Sequence, residues 1–123
     1  MSRMFHIGDI LTITTGRLVA PRGIAAVYDI LDYMTGDKLF THQLGRACAE
    51  CKPSLLHQHP QLEKETGDNL SISNWAVWLR EAVAIYGEQL PVVPLPPGEH
   101  KFIDPVEEMR GMVGPDKIIV VKP

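Results

Sequence analysis

A chain of 123 residues with 45% hydrophobic and 22% charged residues is long enough to bury a core of its own, which excludes wholesale disorder. Its net charge of −3 provides no global basic field, so direct nucleic-acid binding through phosphate neutralisation is not expected. No segment approaches the roughly 20 apolar residues of a membrane span, and MSRMFHIGDI lacks a signal-peptide run. One globular domain over residues 1–123, located in the cytoplasm, is therefore expected.

In chain order, Asp9 reads as the N-cap of a short first helix that carries Ile10, Leu11 and Ile13 and ends at Gly16. From Gly23, the residues Ile24, Val27, Tyr28, Leu31 and Met34 recur at helical spacing until Gly36, which predicts an amphipathic helix. Thr41 is placed to cap a third helix through HQLGRACAEC toward Lys52, where Pro53 ends it or begins another turn, and Pro60 stops the second piece. Residues 61–72 mix charge, Gly, Asp and Asn and read as an exposed loop. Ser73 is expected to cap the next helix, in which Trp75, Trp78, Leu79, Ala82, Val83 and Tyr86 repeat at spacings of three and four before Gly87. The prolines of LPVVPLPPG, residues 90–98, require an extended connector. Asp104-Pro105 opens a short helix through Met109, and KIIVV at 117–121 has the composition of a strand that pairs with residues 90–95 or with a second subunit. The expected fold class is α+β, mainly helical with a short C-terminal β element.

Cys48 and Cys51 form a C-x-x-C followed by His57 and His59, which raises zinc or redox chemistry. On the third helix the two cysteines share a sector with Leu44 and Ala47, away from His42, Arg46 and Glu50. A structural zinc site would need a matched second pair, so core packing is the preferred reading and no metal is assigned.

The candidate site lies between Ile13 and Arg46. Thr14, Thr15 and Gly16 close the first helix with Arg17 directly after them, while Arg22 and Gly23 precede the second. Guanidinium groups beside Gly-opened backbone at a helix start suit phosphate or carboxylate. His42 and Arg46 stand one turn apart with Gln43 beside them, and can hold an anion jointly. The plain alternative is that these arginines form surface ion pairs with Asp29, Asp32 or Asp37. No Walker loop, G-x-S-x-G or H-E-x-x-H is present, so neither a catalytic residue nor a cofactor is assigned.

The stretch TGRLVAPRGIAAVYDILDYMTGDKLFTHQLGRA, followed by ECKPSLLHQHPQL, GEQLPVVPLP and MVGPDKIIVV, resembles a family of small uncharacterised proteins encoded by bacteriophages and prophages. That resemblance implies an accessory role such as countering host defence. The leading expectation is a homo-oligomeric binding protein that sequesters a small anionic, nucleotide-like immune signal. Thr14, Thr15, Arg17, Arg22, Tyr28, His42, Gln43 and Arg46 are its candidate ligand residues, with Tyr28 or a tryptophan covering an apolar ring. The alternatives are an inhibitor that docks on a host defence protein, as anti-CRISPR proteins do, and a nucleotide-processing enzyme with His42 as acid or base.

Overall fold

The computed structural model describes residues 2–71 and 73–109. Strand β1 (Arg3–His6) leads directly into helix α1 (Ile7–Thr15), followed by α2 (Ile24–Thr35), α3 (Leu44–Gln58), α4 (Trp75–Tyr86) and strand β2 (Gln89–Val92). Residues 105–109 add a last helical turn. The fold is mainly helical with a two-stranded antiparallel sheet, an α+β arrangement. Among the described residues no helix is long and apolar enough to cross a membrane.

Helix α1 begins three residues before the position that Asp9 suggested, with Ile7 rather than Ile10 as its first residue. The His6 imidazole accepts a hydrogen bond from Gly8 N at 2.9 Å and acts as the cap, and Asp9 becomes a first-turn residue that favours the helix dipole from inside. Gly16 ends the helix with φ 75°, as its position predicts. Ile7 through Thr14 are all buried, because α2, α3 and α4 each pack against this helix. The hydroxyls inside it are satisfied locally: Thr12 donates to Gly8 O at 2.7 Å and accepts from Val19 N at 3.1 Å.

Helix α2 has the predicted bounds, with Gly36 in the left-handed conformation at its end. Thr41 does not cap α3. It opens a 3-10 turn, Thr41–Gln43, and α3 then runs unbroken through Pro53 to Gln58. Ala47, Cys51 and Leu55 on one face of α3 enter the core, while Cys48 packs at its margin. Burial raises both thiols, Cys51 to about 12, with Glu50 and Cys48 adding to the rise at Cys51.

The 61–72 segment is less free than its composition suggests. Pro60–Leu62 form a 3-10 turn, Leu62 is fully buried, and Gly67 is packed on the first helix. Ser73 does not cap α4 either; Asn74 occupies that position, and the Ser73 hydroxyl bonds Ser71.

The strand partner of the proline-rich segment is the N-terminal RMFH. Arg3 pairs with Val92, Met4 with Pro91, Phe5 with Leu90 and His6 with Gln89. Pro91 is tolerated because β2 is an edge strand whose outer groups are met by side chains. His59 Nε2 lies 2.6 Å from Pro91 O, Tyr33 donates to Val92 O at 3.0 Å, and the Gln58 amide brackets Val93 at 2.9 and 3.2 Å. KIIVV lies outside the described residues.

Two glycines in helices are expected to respond oppositely to alanine. A Cβ on Gly8 would stand 2.8 Å from Val19 O and 3.0 Å from Pro21 Cδ, so Gly8→Ala must displace the 19–21 backbone and should cost about 1–3 kcal/mol. Gly45 has open space and helical backbone, so Gly45→Ala should stabilise by about 0.5–1 kcal/mol. Urea unfolding of both variants measures the difference.

Candidate functional site

Three polar arrangements surround the core, and Arg17, Arg22 and the group of His42, Gln43 and Arg46 are divided among them. The first is a cleft of about 360 Å³ formed where the end of α1 meets the chain entering α4. Its walls are Gly16, Arg17, Leu18, Val19, Leu70, Ser71 and Trp75. Arg17 is exposed, and its guanidinium has no acceptor partner among the described residues. Its backbone is nevertheless fixed, since Arg17 N donates to Thr15 Oγ1 at 3.1 Å and Thr15 in turn donates to Leu11 O at 2.6 Å. A Cβ on Gly67, where φ is 76°, would lie 3.0 Å from Thr15 Cβ and 3.2 Å from Arg17 Cγ, so the loop rests on the arginine stem. Trp75 leaves 38% of its surface exposed, enough ring for a planar group to stack on. The cleft thus offers a cation, a ring and an apolar floor.

The second arrangement lies at the β1–α1 junction, in a cleft of about 350 Å³ lined by Arg3, His6, Asp9, Pro21, Arg22 and Gln89, among others. Here the cations are already matched. Arg3 grips Asp29 with two bonds of 3.0 and 2.7 Å while stacking 4.5 Å above the Phe5 ring. Arg22 is shared between Asp29 at 3.2 Å and Asp9 at 3.5 Å. Arg3 first, and Arg22 after it, hold Asp29 below the usual carboxylate range against the effect of its burial. Asp9 is only 2% exposed, and burial pushes its carboxyl up more than Arg22 pulls it down. An anion entering this cleft must compete with two carboxylates.

The third arrangement fastens residues 99–109 across α2 and α3. Arg46 Nε and Nη2 meet both Glu108 oxygens at 2.6 and 2.8 Å, and its Nη1 reaches Glu50 at 2.8 Å and Lys101 O at 2.9 Å. The buried Gln43 side chain donates to Ile103 O at 3.1 Å and Glu108 at 3.0 Å, and accepts from Phe40 N at 3.0 Å. His42 Nε2 lies 2.7 Å from Pro105 O. His100 stands between Glu50, 2.5 Å from its Nδ1, and Asp37, 3.0 Å from its Nε2. Burial alone would raise the Glu50 carboxyl, but His100, the Lys101 amide and Arg46 together hold it low.

His42, Gln43 and Arg46, grouped from the sequence as ligand residues, are therefore engaged with the chain itself. Their polar groups bind residues 101–108 because residues 101–104, ahead of the last helical turn, have no ladder of their own and need side-chain partners. The three arginines do not converge: Arg17 and Arg22 line separate clefts, and Arg46 lines neither. Tyr28 bonds Thr41 through the two hydroxyls at 2.5 Å, and Thr14 is buried with its hydroxyl 3.4 Å from Leu11 O. Among the described residues no three His, Cys, Asp or Glu side chains gather as a metal set. Leu18, Leu70 and Ser71 were not singled out in the sequence, although Leu18-Val19 directly after Arg17 marks an apolar floor beside a charge. His100 and Glu108 carried no signal, since their partners lie 50 or more positions away.

Residues 5–65 match a family model described as a domain of unknown function, DUF7736. No curated protein and no solved structure matches the chain. The matched span contains Arg17 and Arg22 and the α3 half of the third arrangement, and stops before Trp75 and the 99–109 segment.

The third arrangement should respond to acid. The Arg46 bonds hold the Glu108 carboxyl at about 2, against a usual 4.5 and against the opposing effect of burial. A depressed carboxylate contributes stability that is full above 4.5 and fades as pH falls through about 2. Protection of the Glu108 amide, which bonds Asp104 O at 2.9 Å, should fall across that window relative to an unfolded chain at the same pH, and Glu108→Gln should reduce the pH dependence to the part that Glu50 contributes. Arg46→Ala should cost about 3 kcal/mol at neutral pH, near the lower end for stripping one partner from a buried pair.

Proposed function

We propose that this protein binds a small anionic ligand with a flat apolar portion, of the nucleotide type, in the Arg17–Trp75 cleft, and that it acts by holding the ligand. The observation that carries this reading is the Arg17 guanidinium, unpartnered among the described residues, beside a partly exposed tryptophan and over a floor of Leu18, Val19 and Leu70. Phosphate on Arg17 with a base on Trp75 uses each wall for what its chemistry offers. Energetics favour this cleft over the one at Arg22. A charge-assisted bond from a free guanidinium is worth roughly 1.5–3 kcal/mol, whereas Arg22 must first give up Asp9 and Asp29. The sequence resemblance to phage-encoded proteins supports placing this activity in the cytoplasm of an infected host, as sequestration of a nucleotide immune signal.

A second reading is an inhibitor that docks on a host protein. It is favoured by the exposed Phe102, Val106 and Met109 on the outer side of the 99–109 segment.

Calorimetric titration with adenosine monophosphate, adenosine and inorganic phosphate tests the first reading. The mononucleotide is expected to bind more tightly than either fragment. Arg17→Ala should weaken it by about tenfold to a hundredfold without lowering the melting temperature, and added salt should weaken it further. Unchanged binding in both Arg17→Ala and Trp75→Ala, or no binding of any probe, would remove this site.

A further inference from the structure

Helix α4 is apolar on more of its circumference than the core uses. Leu79 and Ala82 are buried, and Trp78, Val83 and Tyr86 pack at the margin, yet Val77 and Ile85 remain 51% and 66% exposed on the outer side. A helix apolar around most of its surface belongs in an interior. At 3.6 residues per turn, Val77 and Ala84 lie on one line down the outer face, with Arg80 on one side of it and Glu81 on the other. Arg80 and Glu81 are both exposed and make no ion pair among the described residues. On the Glu81 side runs a shallow groove of about 210 Å³ lined by Asn74, Val77, Trp78 and Glu81.

The charge placement selects the occupant. In a parallel two-fold pair, the left flank of one helix meets the right flank of the other at the same height; in an antiparallel pair, like flanks meet. Parallel packing of α4 on α4 therefore sets Arg80 of each copy against Glu81 of the other, with Val77 and Ala84 meeting their own equivalents along the seam. The antiparallel alternative sets arginine beside arginine and glutamate beside glutamate. The small Ala84 lets the backbones approach, and the groove receives the incoming guanidinium between the Glu81 carboxylate and the Trp78 ring. We propose that the outer face of α4 is a self-association surface, on which a second copy of this chain packs in parallel about a two-fold axis, Arg80 to Glu81 in both directions. This surface is separate from the lining of the Arg17 cleft apart from the helix they share, so either can fail without the other.

Sedimentation of the full chain across micromolar concentrations, alongside charge-reversal variants, is the test. The parent is expected to be a dimer. Arg80→Glu and Glu81→Arg should each raise the dissociation constant at least about tenfold by placing like charges together, and the double reversal should restore the dimer. Both residues are exposed, so the circular dichroism spectra of all variants should match the parent and show that each is folded, while the single reversals lose whatever thermal stability association adds. Orientation is read separately: mild oxidation of Ala84→Cys should cross-link two chains beyond the level of the parent, which carries Cys48 and Cys51, whereas an antiparallel pair would not bring position 84 to its equivalent. A monomeric parent, a dimer indifferent to the single reversals, a double reversal that stays monomeric, or no added cross-link at position 84 would each overturn the proposal.

Discussion

Everything else in this molecule is arranged around the burial of α1. A helix of nine residues with its middle enclosed by α2, α3 and α4 cannot stand alone in water, and it holds together because its neighbours remove it from solvent. A close approach occurs at Gly8, where the carbonyl of Val19 occupies space that any side chain would fill. That contact brings the 17–22 connection tightly back along the helix. It also decides where Arg17 and Arg22 emerge, one beside the entrance to α4 and the other over the β1–α1 junction. The separation of the two guanidinium groups is thus a consequence of core packing.

The same principle of economy explains the 99–109 segment. Most of it carries no regular backbone ladder, so its carbonyls and amides are met by side chains from α3 and its charges by Arg46, Glu50 and Asp37. Gln43 can be fully buried because each end of its amide has a partner. An ionic fastening of this kind is conditional in a way that apolar packing is not. It depends on the charge state of its members, whereas the α1 interior does not.

Function in this architecture is left to what the core and the fastening do not consume. Arg3 and Arg22 are absorbed by Asp29 and Asp9, and Arg46 by Glu108, which leaves Arg17, among the candidates, without an acceptor in the described residues. Its neighbour Trp75 stands at the first turn of α4, the helix whose outer face meets no other element among the described residues. The ligand surface and the association surface proposed above would lie on two sides of this one helix.

Where hydrophobic period and chain punctuation agreed, the sequence by itself determined the outcome. Gly23 through Gly36 delimit α2 because a run of apolar residues at helical spacing is bounded by glycines free to take positive φ. Gly16 and Gly87 likewise mark helix ends, Cys51 follows its apolar stripe inward, and Asp104 caps the last helical turn. The caps of α1 and α4 were decided elsewhere, since Asp9 and Ser73 are good capping residues by type but His6 and Asn74 stand at the start when the helices dock. RMFH was too short and too mixed to read as a strand until Gln89–Val92 lay beside it. The grouping of His42, Gln43 and Arg46 was legible, because residues one turn apart share a helix face. Their occupant was not. Sequence spacing fixes which side chains stand together along one element, whereas the partner each one meets comes from a distant segment, and only the tertiary fold brings Glu108 to Arg46 while leaving Arg17 open.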